Sequence, residues 1–448
     1  MKPNHVPHIL LVNPWIHDFA AYDFWAAPLG LLTLGGILRA HGARVSFIDC
    51  LDRFHPREGA RPSQGSRCGR GPYRKTIIPK PKGLDDVPRT YCRYGIPPDW
   101  LQQDLAAMDP PDLVLVTSLM TYWYPGVRET IAALRSVLPR VPVALGGIYA
   151  TLCNEHARRH MGADRVVSGP GEGAVLDLVA DLTGWSPTPR VDTADLDALP
   201  WPALDLAHHL AHVPLLTSRG CPFHCAYCAS HRLQPVHVRR RPQAVVAEIR
   251  HWHACHGVVD FAFYDDALLV DASRHIVPIL EGVIEAGLKV RFHTPNALHI
   301  REITGPLAGL MHRAGFHTIR LGLETTAFEK RRFLDAKVTE EAFSQTVEHL
   351  KTAGFAAAQV GAYLLAGLPG QDVRSVEASI AVVKAKGVTP VIAHYTPIPH
   401  TPMWDVALQA SRYDLAADPI YTNNAIFPCQ REGFSWEMLT RLKRLAQG

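Results

Sequence analysis

Three of the nine cysteines fall within eight residues, in the run Ser218-Arg219-Gly220-Cys221-Pro222-Phe223-His224-Cys225-Ala226-Tyr227-Cys228. At this spacing, C-x3-C-x2-C, the thiolates converge on one metal centre only if the segment is a compact loop, and Gly220 and Pro222 suit such a loop. Three thiolates on a [4Fe–4S] cube leave one iron without a protein ligand, whereas a cluster that only passes electrons normally takes four. An open iron is what a substrate-binding cluster needs. A structural zinc site is the competing reading. It wants four ligands, usually from paired cysteines. His224 could in principle be the fourth, but no second pair follows. The other cysteines, Cys50, Cys68, Cys92, Cys153, Cys255 and Cys429, are scattered, and an odd total argues against a disulfide framework.

The triplet sits behind the apolar run Val213–Thr217, the first strand of a second alternating region. Further strands are expected at Val259–Tyr264, Lys289–Thr294, Thr318–Leu323, Ala357–Leu365 and Val391–Tyr395. Helices are expected at Pro242–His256, Ser273–Ala286, Gly305–Ala314, Glu340–Ala353 and Val373–Lys386. Six β/α units predict a partial (β/α)6 TIM-type barrel over 211–405, with chemistry at the strand C-termini. A small C-terminal extension, 406–448, has one clear helix near Trp436–Leu445.

Residues 1–185 alternate in the same way. Strands are expected at His8–Asn13, Arg44–Asp49, Asp112–Thr117, Val141–Leu145 and Arg165–Val167, with helices from Pro28, Pro125, Asn154 and Gly173. This predicts a doubly wound, Rossmann-like (flavodoxin-like) α/β domain with a parallel sheet and its ligand at the strand C-termini. No G-x-G-x-x-G follows the first strand and no Walker motif occurs, which lowers dinucleotide and ATP readings. Residues 186–210, with Pro187, Pro189, Pro200 and Pro202, read as a linker.

At roughly 100–200 residues per domain, 448 residues predict two or three domains. Apolar residues at 47% and charged residues at 20% make the chain globular. The net charge of +4 gives no general argument for nucleic acid or a membrane surface. The longest apolar candidate, Ala26–Leu38, is too short for a bilayer span, and Lys2 alone before Ile9–Val12 is not a secretory signal, so a cytoplasmic location is expected. One region departs from the balance. Arg53–Arg93, within an insertion spanning 53–110, holds eleven Lys/Arg against three Asp/Glu. It reads as a solvated insertion loop, or more sharply as an anion-binding or partner-docking loop.

The triplet after a first barrel strand, with an aromatic before the third cysteine, resembles the radical S-adenosylmethionine (SAM) superfamily. The resemblance implies a [4Fe–4S] cluster on Cys221, Cys225 and Cys228, with Tyr227 against the SAM adenine. It also implies SAM contacts from strand ends. These are Asp265 and Asp266 in Phe263-Tyr-Asp-Asp266, Asn296 in Thr294-Pro-Asn296, Glu324 in Leu321-Gly-Leu-Glu324 and Gly367 in Leu365-Ala-Gly367-Leu-Pro-Gly370. Asp265 and Asp266 are adjacent on a strand end, so their side chains point to opposite faces.

The first domain resembles the cobalamin-binding domain of the B12-dependent radical SAM class. The matching residues are Pro28 and Gly30 at the first helix, Thr117 and Ser118 after a strand, and Gly146, Gly147, Tyr149 and Thr151 at a Gly-Gly turn. These would contact cobalamin. Tyr122, Trp123 and Tyr124 could cover the corrin face or pack in the core. Methionine-synthase-type domains carry Asp-x-His-x-x-Gly at the first turn. With Gly30 as that Gly, Trp25 and Ala27 hold the Asp and His positions, so no imidazole comes from the motif. His17 is a candidate replacement. The resemblance implies an enzyme that cleaves SAM reductively and methylates an unactivated carbon, or phosphorus, with electrons from a flavodoxin- or ferredoxin-type donor. A B12-dependent cyclase or rearrangement enzyme and a cobalamin-free radical SAM enzyme are the alternatives. The substrate, a small molecule or peptide, is not legible.

Overall fold

The computed structural model describes residues 6–59, 68–185, 187, 192–193, 195–329, 334–335, 338–429 and 435–447. Lys2, Pro189 and residues 60–67 of the basic stretch lie outside them. The chain packs as two compact units, Met1–Ala211 and His212–Gly448. Among the described residues no helix is long and apolar enough to cross a membrane.

Strands of the first unit are β1 (His8–Asn13), β2 (Ile16–Asp18), β3 (Arg44–Asp49), β4 (Lys75–Ile77), β5 (Cys92–Tyr94), β6 (Leu113–Val116), β7 (Val143–Leu145) and β8 (Arg165–Val166). Five of them form a parallel sheet in the order β3-β1-β6-β7-β8. β1 reads as a continuous apolar run because helices cover both faces, and His8–Val12 are all buried. The order places β1 between β3 and β6, so the chain reverses direction across the sheet at the C-terminal ends of β1 and β6. That is where a doubly wound domain binds its ligand.

The insertion is not a solvated loop. β2, β5 and β4 form an antiparallel sheet, and a helix runs over Pro98–Ala107. Four of its cations are paired with carboxylates: Arg53 bonds Asp23 at 2.7 Å, Arg57 pairs with Asp104, Arg74 bonds Glu58 at 3.1 Å and Arg93 bonds Glu129 at 2.7 Å. The expected linker is also docked in its second half. Ala203 N–H donates to the Leu32 carbonyl at 2.9 Å, and Arg39 reaches Asp205 at 2.7 Å.

Strands of the second unit are β9 (Val213–Leu215), β10 (Ser218–Arg219), β11 (Val238–Arg239), β12 (Asp260–Phe263), β13 (Arg291–His293), β14 (Phe316–Glu324), β15 (Val360–Ala366) and β16 (Thr389–His394). Six form one sheet in the order β16-β15-β14-β13-β12-β9, each neighbouring pair parallel. Helices return each strand to the next, giving an open six-stranded partial barrel. Phe263, Phe292 and Phe316 pack as a ring cluster beneath it, with centroids 5.0–5.7 Å apart. The helix expected from Ser273 begins at Ile276, because Pro278 has no N–H to bond back to Arg274, and 272–274 form a 3-10 turn instead. The tail holds more than the single helix expected. Trp404–Ala410 is helical, and 3-10 turns follow at Pro419–Thr422 and Asn424–Ile426.

Candidate active site

The cysteine loop leaves β9 and is closed at its base by the β10–β11 ribbon, where Ser218 pairs with Arg239 and Arg219 with Val238. Gly220 turns the chain into the loop at φ +78, and a Cβ there would lie 2.5 Å from the Val236 carbonyl oxygen. The middle of the loop is tied on both sides. Ala226 N–H donates to the Leu334 carbonyl at 2.9 Å, and the Ala226 carbonyl accepts from Met403 N–H at 3.0 Å. Cys225 is buried, while Cys221 and Cys228 are half-buried. Burial pushes the Cys228 thiol up to about 11. The Cys228 sulfur accepts from Ser230 N–H at 3.4 Å.

All three cysteines border one cavity of about 220 Å³. Tyr227, Asp266, Asn296 and Glu324 line it as well, so strand ends far apart in sequence meet here. The Asn296 amide donates to the Tyr264 carbonyl at 2.8 Å, and Ser230 bonds Asp266. Glu324 has φ +62, a conformation that costs a non-glycine residue about 1–2 kcal/mol, and the β14–β15 register shifts beside it. Sequence reasoning missed His299, Arg301 and Glu302, which line the cavity from the turn after β13. The barrel rule placed that turn at the chemical end of the fold, but it did not select those side chains.

Two expected contacts lie elsewhere. Asp265 faces away from the cavity and is 3% exposed. It accepts from Thr217 N–H at 3.1 Å, the Thr217 hydroxyl at 2.7 Å and the Ser218 hydroxyl at 2.6 Å. His275 Nε2 lies 2.8 Å from the same Thr217 hydroxyl. Burial raises the Asp265 carboxyl to about 6 despite these donors, and burial lowers the His275 imidazole to about 4. Gly367 is also outside the cavity lining. A Cβ at Gly367 would lie 2.9 Å from the Phe427 ring, so the residue admits the C-terminal extension.

The donor set suits a cluster better than zinc. The loop brings three cysteines to the cavity, whereas a closed structural zinc site needs four ligands. His224 is exposed and outside the cavity lining.

In the first unit, the expected cobalamin residues gather at the sheet's C-terminal end. Ser118 is buried, and its hydroxyl donates to the Gly146 carbonyl at 2.6 Å and accepts from Ala150 N–H at 3.2 Å. The Thr151 hydroxyl donates to the Gly147 carbonyl at 2.9 Å and accepts from Gly169 N–H at 3.0 Å. These hydroxyls fasten three loops together. Thr117 is half-buried beside Ser118, Pro28 caps the helix Leu29–Ala40, and Gly30 is exposed on its first turn. Gly146 has open space beyond its Cα. Tyr149 departs from the expectation. Its ring is fully buried, stacked on Tyr124, with its hydroxyl 2.6 Å from His156 Nδ1. Tyr122 and Tyr124 are buried, and Trp123 donates to Asp18 at 2.7 Å, so packing is their role. The exposed apolar residues of this loop are Leu119 and Met120.

The first-turn motif is likewise committed elsewhere. Trp25 is buried with φ +61, and its indole donates to the Cys68 carbonyl at 2.6 Å. His17 pairs with Glu129 at 2.6 Å rather than standing free in a loop.

Gly147 and Gly146 yield a paired prediction. Gly147 has φ +98, and a Cβ would lie 2.3 Å from the Ser118 carbonyl oxygen. Gly147→Ala is expected to destabilise the first unit by about 2–4 kcal/mol. Gly146→Ala is expected to leave folding near wild type while weakening corrinoid retention. Denaturant unfolding and corrinoid absorbance read the two effects separately.

Comparisons with known proteins find matches in both units. The family model for the B12 binding domain matches residues 95–179, and that for the Radical SAM superfamily matches residues 215–383. The chain is therefore a radical SAM enzyme that carries a B12-binding domain. Both domain types thus occur in one chain, the combination that the B12-dependent class is expected to show. It is 26% identical to an uncharacterized methyltransferase of Pyrococcus horikoshii, over 69% of this chain and 74% of the relative. It is 21% identical to the cytidylyl-2-hydroxyethylphosphonate methyltransferase of Streptomyces wedmorensis, over 95% and 82%. Its fold is similar to the radical SAM methyltransferase TsrM from Kitasatospora setae, solved with cobalamin and a [4Fe-4S] cluster, at a TM-score of 0.66 and 17% identity. That match covers 91% of this chain and 75% of TsrM.

Proposed function

We propose that this enzyme methylates a carbon or phosphorus centre, with a [4Fe–4S] cluster held by Cys221, Cys225 and Cys228, SAM in the adjoining cavity and cobalamin on the first unit. The observation that carries the reading is the three-thiol loop opening onto a cavity lined by Asp266, Glu302, Glu324, Asp335 and Arg301. SAM bears a sulfonium, an ammonium and a carboxylate, and this lining offers carboxylates for the cations and a guanidinium for the anion. When bound, the cluster supplies the electron that cleaves SAM, and cobalamin supplies the methyl carrier. The protein's own residues orient and shield. Tyr227 provides a ring surface for the adenine, Asp266 and Glu324 take the cationic end, and Asn296 stiffens the end of β12. Asp265 holds the base of the cysteine loop rather than touching SAM. On the first unit, Ser118, Gly147 and Thr151 shape the bed, and Pro28, Gly30, Thr117 and Gly146 present backbone to the cofactor.

The methyltransferase names of the relatives in Pyrococcus horikoshii and Streptomyces wedmorensis support methyl transfer. The reading places the B12 domain at 1–185, the barrel at 211–405 and the extension beyond it, in a cytoplasmic enzyme supplied with electrons by a small flavodoxin or ferredoxin. Incubation with SAM labelled in its methyl group tests it. Methionine with 5′-deoxyadenosine, S-adenosylhomocysteine and a labelled product are expected together. Corrinoid retained with deoxyadenosine formed but no label transferred would replace methylation by a cyclase or rearrangement. Failure to retain corrinoid would remove cobalamin from the reading.

A further inference from the structure

The basic insertion borders a second cleft, apart from the cysteine cavity. Beyond the four arginines already paired with carboxylates, Arg70 lies over the Trp25 ring at 4.6 Å. Lys80 Nζ donates to the carbonyls of Val87 at 2.6 Å and Asp85 at 3.1 Å, and Lys82 is engaged as well. Two cations of the stretch, Lys75 and Arg89, have no side-chain partner among the described residues. Both line the same open cleft of about 420 Å³, within the usual size of a ligand pocket. Its walls include Phe19, Tyr22, Tyr73 and Tyr94, and no Asp or Glu lines it.

Cations scattered over a solvated surface would not converge on one aromatic cleft after so many of their neighbours had found partners. We propose that this cleft binds a phosphate-type oxyanion carried on a planar ring, the anion between Lys75 and Arg89 and the ring against the tyrosines. Charge-assisted hydrogen bonds supply the anion's affinity, and ring stacking adds selectivity. Such chemistry belongs to a free nucleotide, to a nucleotidyl group on the methyl acceptor and to the nucleotide of cobalamin itself. The cleft shares none of the residues assigned above to cobalamin, so a ligand other than the corrinoid is the claim. It does not depend on methyl transfer.

Phenyl phosphate is the minimal probe, titrated into the full-length protein with and without bound corrinoid and followed by ³¹P NMR. Saturable binding is expected, unchanged by corrinoid. Phenol, which lacks the anion, and inorganic phosphate, which lacks the ring, should each displace phenyl phosphate only weakly. Lys75→Ala with Arg89→Ala should weaken phenyl phosphate roughly tenfold or more, while Lys75→Arg keeps most of the affinity. AMP and CMP competing for the site would point to a nucleotide or nucleotidyl ligand. Absent saturation, equal binding by the double alanine variant, or displacement by corrinoid would each overturn the proposal. The readout is binding alone, so a failed methylation assay would leave it standing.

Discussion

Alanine at any one of Cys221, Cys225 or Cys228 is expected to strip the protein of its cluster iron and abolish SAM cleavage. The loop supplies three thiolates to one cavity, and no fourth cysteine lines that cavity to stand in for a lost one. Two thiolates cannot hold a cube firmly enough to survive reduction and exchange. Iron and sulfide analysis, with electron paramagnetic resonance of the dithionite-reduced protein, reads the loss directly. Cys255→Ala, at an exposed position, should keep full iron content. His224→Ala should do so too, because that imidazole lies outside the cavity lining. Loss of metal on removing His224, with zinc in place of iron, would sink the cluster assignment.

Replacing Asp265 by alanine is expected to have the next largest effect, through the loop rather than through SAM. The carboxylate gathers the Thr217 N–H and the hydroxyls of Thr217 and Ser218 at 2.6–3.1 Å, four and three residues before the first cysteine. Losing it leaves buried donors unsatisfied, at a cost of about 2–4 kcal/mol. Cluster content should fall and the reduced spectrum should broaden. Asp265→Asn should be milder, since one oxygen can still accept. The pH dependence has a definite sign. The folded carboxyl sits near 6, above its ordinary 3.8, so its stabilising effect is full below 3.8 and is lost as pH rises through 6. The wild-type advantage over Asp265→Asn should therefore shrink across that window, by about 3 kcal/mol at most, and level off above it. Chemical unfolding of both proteins from pH 4 to 7.5 measures the gap. A gap that widens with rising pH would contradict this account.

The chemistry was legible where it is local. Three cysteines at fixed spacing, and strand ends recognisable by their turns, were enough to bring Tyr227, Asp266, Asn296 and Glu324 to one cavity. Alternation along a strand told that Asp265 and Asp266 diverge, but not which one faces inward. That depends on Thr217 and Ser218, almost fifty residues upstream. Tyr149 was misread for a related reason. Its neighbours in the Gly-Gly turn present backbone, while its own ring turns into the core to meet His156. The insertion was hardest to read, because part of its charge is paired with residues distant in sequence, as with Arg53 and Asp23 or Arg93 and Glu129. A count of local charge cannot tell the cations that the fold pairs with distant carboxylates from Lys75 and Arg89, which it leaves at a cleft.

The brace on the cysteine loop also sets an order of events in biosynthesis. The Ala226 carbonyl accepts from Met403, and Tyr227 packs against a cluster that includes Leu415 and Cys429. A chain emerges from the ribosome N-terminus first. The metal-binding thiols are therefore exposed to the cell long before the segment that steadies them has been synthesised. Stable iron loading is therefore expected of the finished polypeptide, and a nascent chain halted before Met403 would present the same cysteines without their clasp.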